Sequence, residues 1–261
     1  TLIISGSATS SWLYYLYIQH TRASDPRYQI REISHHAAGH LLPTEYFTEQ
    51  LGLFKDKPVT IYSFDSKKAE KTLRQSPLLQ WANVRLGKTS VLHLEYLVRK
   101  PLAYLGDLQN ALFDEEGAIF PCVPFFTPKK YPEVYFGLEE EIRWGDSLPS
   151  EKLELFKDVH SLLSEVGYQD SFHILRIDIS FASSQNFGRR QIVLILQEKD
   201  EKRGVITLRL STIGYVRELR DFFALRKYLG ENIVKDLDGS IVVDMRISRL
   251  AFLFKDSTRG G

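Results

Sequence analysis

Between Ala82 and Val98 the side chains alternate apolar and polar on both sides of a glycine turn. Ala82, Val84 and Leu86 alternate with Asn83 and Arg85; beyond Gly87–Lys88, Leu92, Leu94, Tyr96 and Val98 alternate with His93, Glu95 and Arg99. Successive strand side chains point to opposite faces, so this pattern predicts a hairpin with one buried face. A half-apolar hairpin must be covered, and the preceding residues offer two short helices for the purpose. Pro43–Thr44–Glu45 opens the first, with Phe47 and Leu51 at i, i+4 and Gly52 placed to end it. Asp65 is the N-cap of the second, Ala69 and Leu73 lie on one face, and Ser76–Pro77 stops it. Upstream, Tyr28–Ile33 alternates as a first strand, and the polar joint Ala23–Asp25–Pro26 precedes it. Residues 28–99 therefore read β-α-α-β-β, an α+β unit large enough to fold on its own.

From Pro101 the pattern changes to short strands: Leu102–Leu105, Leu112–Phe113 and Ala118–Phe120, the last two joined at Asp114–Gly117. Pro121, Pro124, Pro128 and Pro132 form a stiff connection, and Gly137–Asp146 is acidic. A helix is predicted near 150–166, with Leu155, Val159, Leu162 and Val166 as its stripe and Gly167 at its end. Strands follow at Phe172–Phe181, Gln191–Gln197 and Val205–Leu210, the last two joined by the charged loop Glu198–Gly204. A second helix near 215–229 carries Leu219, Phe222, Phe223 and Leu229, with Arg226 and Lys227 in its last turn and Gly230 after it. Asp238–Gly239 turns the chain into one final strand, Ile241–Phe254.

The first lysine, arginine, aspartate or glutamate is Arg22. An uncharged stretch of about 20 residues has the length of a membrane-crossing helix, and Trp12, Tyr14, Tyr15 and Tyr17 suit an interfacial aromatic belt. Residues 1–22 are accordingly expected to be the remnant of a transmembrane helix with its juxtamembrane joint, the main rival being a cleaved signal peptide, and either places the rest of the chain outside the cytosol. Thr1 opens the chain and Met245 is the sole methionine, so a preceding segment is expected to be missing.

The chemistry that composition leaves open is narrow. Lys plus Arg number 34 against 33 Asp plus Glu, a net charge of +1, which disfavours a polyanionic partner such as nucleic acid. Cys122 is the only cysteine, which excludes an internal disulfide and any Cys-based metal cluster. No nucleotide-binding, nucleophile-elbow or zinc-protease motif is present. His35, His36 and His40 are read as solvated imidazoles of a loop, and Glu139–Glu141 as a solvated acidic run. No catalytic, cofactor or metal residue is assigned, and no small-molecule substrate is expected.

Several stretches, taken in order, resemble the FtsQ/DivIB family of bacterial cell-division proteins. Ile30–Ile33 is similar to that family's opening strand, Gln75–Val84 to its "L-x-x-x-P-x-V-x-x-A-x-V", and Val98–Ala103 to its "V-x-E-R-x-P-v-A". Leu112–Phe120 resembles "L-V-D-x-x-G-x-v-F", Tyr131–Gly137 "l-P-x-l-x-G", and Val243–Arg246 the "v-D-l-R" of the last strand. Arg99–Lys100 departs from the family's acidic-basic pair, and Ile247 stands where many relatives carry an aromatic. The resemblance implies a POTRA domain over 26–100, a β domain with two helices over 101–256 and a tail at 257–261. It further implies a non-catalytic, single-pass inner-membrane scaffold of the divisome, with both domains in the periplasm, recruiting FtsB/FtsL-type proteins for septum formation. The alternatives are a periplasmic POTRA-type assembly or secretion module and a secreted hydrolase with an unrecognised site.

The last strand is where a partner is expected to dock. Val243, Met245 and Ile247 share one face with Asp244, Arg246 and Ser248 on the other, but from Leu250 both phases are apolar, through Ala251, Phe252, Leu253 and Phe254. Either a bulge near Ser248–Arg249 swaps the faces or this end is covered on both sides. An added partner strand would cover it. In the family this strand carries the partner site, and Arg189–Arg190 match a basic strand edge close to it.

Overall fold

The structure is a computed structural model that describes residues 2–87, 90–138, 141–165, 172–199, 205–229 and 240–255. The fold is mixed α and β, and the chain divides into two compact units, Thr1–Arg99 and Lys100–Gly261. Glu139, Glu140, Val166, Gly167, Gly230 and Asp238–Gly239 lie outside the described residues, as do Lys88 and the 200–204 part of the charged loop.

In the first unit, α1 (Leu2–Ala23) ends because Asp25 is extended ahead of Pro26, the conformation a proline imposes on its predecessor. From Trp12 to Tyr17 its side chains stand exposed, between 44% for Leu16 and 68% for Tyr17. Among the described residues no helix is long and apolar enough to cross a membrane. β1 (Glu32–Ala37), α2 (Thr44–Leu51), α3 (Ser66–Arg74), β2 (Leu79–Leu86) and β3 (Val91–Val98) follow. The Asp65 carboxylate accepts from the Lys67 and Lys68 amides at 3.0 Å and starts α3. Gly52, at φ +64°, closes α2 in the left-handed conformation. The sheet order is β1-β3-β2, and Ala82, Val84, Leu92, Leu94, Tyr96 and Val98 are buried with Phe47, Ala69 and Leu73 of the helices.

The first strand sits further along than its alternation suggests. Residues 28–31 are taken by a 3₁₀ turn over Pro26–Tyr28 and an antiparallel bridge from Gln29 to Thr60. β1 begins at Glu32 because parallel pairing with β3 sets its register, Glu32 opposite Val91 through Ala37 opposite Tyr96. His35 and His36 are thus strand residues and not a solvated loop. The His35 ring lies between Tyr96 Oη, 3.2 Å from Nδ1, and Thr44 Oγ1, 3.0 Å from Nε2, while His36 and His40 are exposed. Tyr96 Oη also accepts from the Leu42 amide at 3.1 Å, so the imidazole belongs to the joint between sheet and α2.

The described residues of the second unit form a nine-stranded sheet with two α-helices. Its strands are β4 (Ala103–Leu105), β5 (Ala111–Phe113), β6 (Ile119–Pro121), β7 (Glu133–Tyr135), β8 (Phe172–Asp178), β9 (Ile192–Glu198), β10 (Val205–Leu210), β11 (Ile241–Asp244) and β12 (Phe252–Lys255). They lie in the order β12-β11-β10-β9-β8-β7-β4-β5-β6. α4 (Ser150–Glu165) carries the chain from β7 to its parallel neighbour β8, and α5 (Tyr215–Leu229) from β10 to its parallel neighbour β11. One apolar cluster unites Leu153, Phe156, Val159 and Leu163 of α4 with Leu219 and Phe222 of α5 and with the alternate residues Ile192, Leu194, Leu196, Ile206 and Leu208 of the sheet. Both helices therefore cover the same face, and the stripe on α4 is centred on Leu153 and Phe156, with Leu155 only partly buried.

His160, one turn past Phe156 and 5.6 Å from its ring, is desolvated by that packing, which holds its pKa below the ordinary histidine value. As pH falls through about 6.5 the unfolded chain takes up the proton first, so the stability tied to the neutral ring is complete above that pH and lost below it. The urea midpoint should fall between about pH 7 and 5, and His160→Gln should flatten that limb. Equal slopes in the two proteins would clear His160 of the effect.

Candidate partner interface

Ile241–Phe254 is not one strand. β11 stops at Asp244, the chain reverses over Met245–Ala251, and β12 returns antiparallel along β11, with Asp244 opposite Phe252 and Val242 opposite Phe254. The stop is local chemistry. The Asp244 carboxylate accepts from the Arg246 amide at 3.1 Å and clamps the Arg246 guanidinium, Nη2 at 2.6 Å and Nε at 3.0 Å, an Asx-type turn that removes Arg246 from the ladder. Burial opposes the Asp244 anion, yet Arg246, with Arg209 behind it, holds the carboxyl below its usual pKa. The Leu250 amide then closes a second turn onto the Ile247 carbonyl at 3.0 Å, with Arg249 in the left-handed region at φ +67°.

This reversal explains why both phases of the segment are apolar. β11 is an inner strand whose faces are both covered, with Val242 4% and Val243 3% exposed. Among the described residues β12 is the edge of the sheet. Paired residues share a face, so Leu253 lies on the helix-bearing side with Val243, and Phe252 and Phe254 on the other with Asp244 and Val242. They remain open, at 47% for Phe252, 40% for Leu253 and 44% for Phe254. Ile247, Ser248 and Leu250 of the reversal are exposed as well, whereas Ala251 packs against the core.

Arg189 and Arg190 do not join this edge. They end a 3₁₀ turn ahead of β9, three strands from β12, which is about 14 Å at ordinary strand spacing. Arg190 stacks 4.0 Å over the Phe187 ring and donates to the Ser184 carbonyl at 2.6 Å, so its guanidinium is tied to its own loop. The tertiary structure brings α5 to the site instead. Arg217, Asp221 and Leu225, one turn apart, face Met245, Ile247, Leu250 and Ala251 across a cleft of about 300 Å³. Arg217 Nη2 donates to Ser248 Oγ at 2.8 Å and fixes the reversal to the helix. In the sequence Arg217 reads as one of several scattered bases, and no local signal joins it to Ser248.

An edge strand presents a free row of backbone donors and acceptors, and here the row is flanked by exposed apolar side chains on both faces. That arrangement recognises an extended polypeptide. Among the described residues no group of three His, Cys, Asp or Glu side chains could hold a metal ion. No protein-family profile matches the chain, and no curated protein matches it.

Proposed function

We propose that the chain is a non-catalytic, membrane-tethered scaffold of the FtsQ/DivIB type that recruits FtsB/FtsL-type division proteins by strand addition to β12. The observation that carries this reading is the open edge strand with apolar side chains exposed on both of its faces. The β-α-α-β-β order of the first unit, with sheet order β1-β3-β2, supports a POTRA-like assignment for it. The exposed ring of Trp12, Leu13, Tyr14, Tyr15, Leu16 and Tyr17 around α1 supports a helix seated where a bilayer meets water; on this reading both units stand on the periplasmic side of the inner membrane. Tagged full-length chain, solubilised with mild detergent from its own cells, should retain two small single-span division proteins in stoichiometric amount. Folded protein that retains neither would refute the reading.

A further inference from the structure

The residues that follow α1 read as a polar joint, and a short polar linker would let the helix and the small unit swing independently. The geometry is otherwise. One short segment, Val59–Tyr62, grips the chain on both sides of the Asp25–Pro26 bend. On the helix side, Thr60 Oγ1 donates to the Ala23 carbonyl at 3.0 Å. The last carbonyls of a helix have no partner within it, and this one is satisfied by a Thr60 that is only 5% exposed. Arg22 Nη1 reaches Tyr62 Oη at 3.4 Å, with the guanidinium 5.5 Å over the Tyr62 ring.

On the other side of the bend, the Ile61 amide donates to the Tyr28 carbonyl and the Ile30 amide to the Val59 carbonyl, both at 2.9 Å. Tyr28 and Tyr62 meet edge to face at 5.0 Å. The bend itself is stiff, because Pro26 has a fixed φ and the Asp25 carboxylate accepts from the Arg27 amide at 3.0 Å. Rotation about any one bond of Ser24–Arg27 would have to break the contacts on one side of the clamp, Thr60 to Ala23 and Arg22 to Tyr62 on the helix side or the Tyr28 and Ile30 pairs on the other.

We propose that Val59–Tyr62 is a clamp that makes α1 and the small α/β unit one rigid body, so that tilt or rotation of the helix is passed directly to that unit. Its consequence for a membrane protein rests on the reading above: with α1 in a bilayer, the small unit stands at a fixed angle to the membrane surface. Rigidity itself does not depend on that reading and is measured without a bilayer.

The full chain with Cys122→Ser, spin-labelled at Leu16→Cys on α1 and Lys71→Cys on α3, is measured in detergent micelles by double electron–electron resonance. One narrow distance distribution is expected. Thr60→Val with Tyr62→Ala should broaden it about twofold or more, and Arg22→Ala, at an exposed helical site where the fold is not at stake, should broaden it in the same direction. A broad distribution in the labelled parent overturns the rigid body. An unchanged width in both sets of variants overturns the clamp. Capture of the division proteins probes β12 and is a separate readout, so loss of either result leaves the other intact.

Discussion

Phe252→Asp is expected to weaken capture of the proposed division partners by roughly 30-fold or more, the scale of removing a central aromatic anchor. The second unit should stay folded. Phe252 is 47% exposed on the edge strand, so only about half of its surface is buried within the chain and the packing lost is partial. Its cross-strand partner is Asp244, which puts two carboxylates on directly opposed positions of one face. Like charges so placed cost about 0.2–1 kcal/mol, or a few degrees in melting temperature for a unit of this size. Arg246 and Arg209 next to Asp244 oppose even that. Phe252→Ser removes the ring without the added charge and separates the two effects. It should lose the partner to a similar degree with a melting temperature lowered by no more than several degrees. Unfolding of the second unit by Phe252→Ser would make Phe252 a core residue, and undiminished capture would move the docking surface elsewhere.

Phe156→Ala is expected to destabilise the second unit by about 3–5 kcal/mol, a large share of the total for a domain. Phe156 is fully buried at the centre of an aromatic cluster, its ring 5.3 Å from Phe113 and 6.1 Å from Phe136, which themselves stand 5.3 Å apart, edge to face. It anchors α4 to two separate parts of the sheet, β5 through Phe113 and the residue after β7 through Phe136. Neither neighbour can swing into the vacancy without breaking its contact with the other, so the cavity stays open. Urea denaturation at pH 7.5, where His160 is neutral in both states, isolates the packing loss. A cost below about 1 kcal/mol would show that the site collapses and that α4 is held by its other contacts.

The elements legible in the sequence are those whose causes lie within a few residues. Gly52 ends α2, Asp65 starts α3, and the alternation of Ala82–Val98 sets the β2–β3 hairpin, because a left-handed cap, a carboxylate on the next amides and a two-residue period are local physics. β7 went unread because three residues after a proline are too few for a period to show. The first strand lies elsewhere than its alternation predicts for a different reason. Tyr28–Ile33 and Glu32–Ala37 both carry apolar residues at alternate positions, and which one enters the sheet is decided by β3, about sixty residues away in the chain.

The candidate interface divides along the same line. The sequence by itself determined that Leu250–Phe254 is apolar on both phases, and so that something beyond one sheet face must meet it. It could not say whether the cover is internal. The turn that answers this contains neither glycine nor proline: Asp244 caps the Arg246 amide, and Arg249 takes the left-handed conformation a glycine would ordinarily supply. Only the tertiary structure decided that β11 docks parallel on β10 after α5, which makes β11 an inner strand and leaves β12 outermost among the described residues. It likewise set Arg189 and Arg190 three strands away and brought Arg217 against Ser248. Side-chain pattern records which residues avoid water; strand neighbours are chosen by non-local pairing, and the same apolar stretch is core or open edge according to whether another strand pairs beside it.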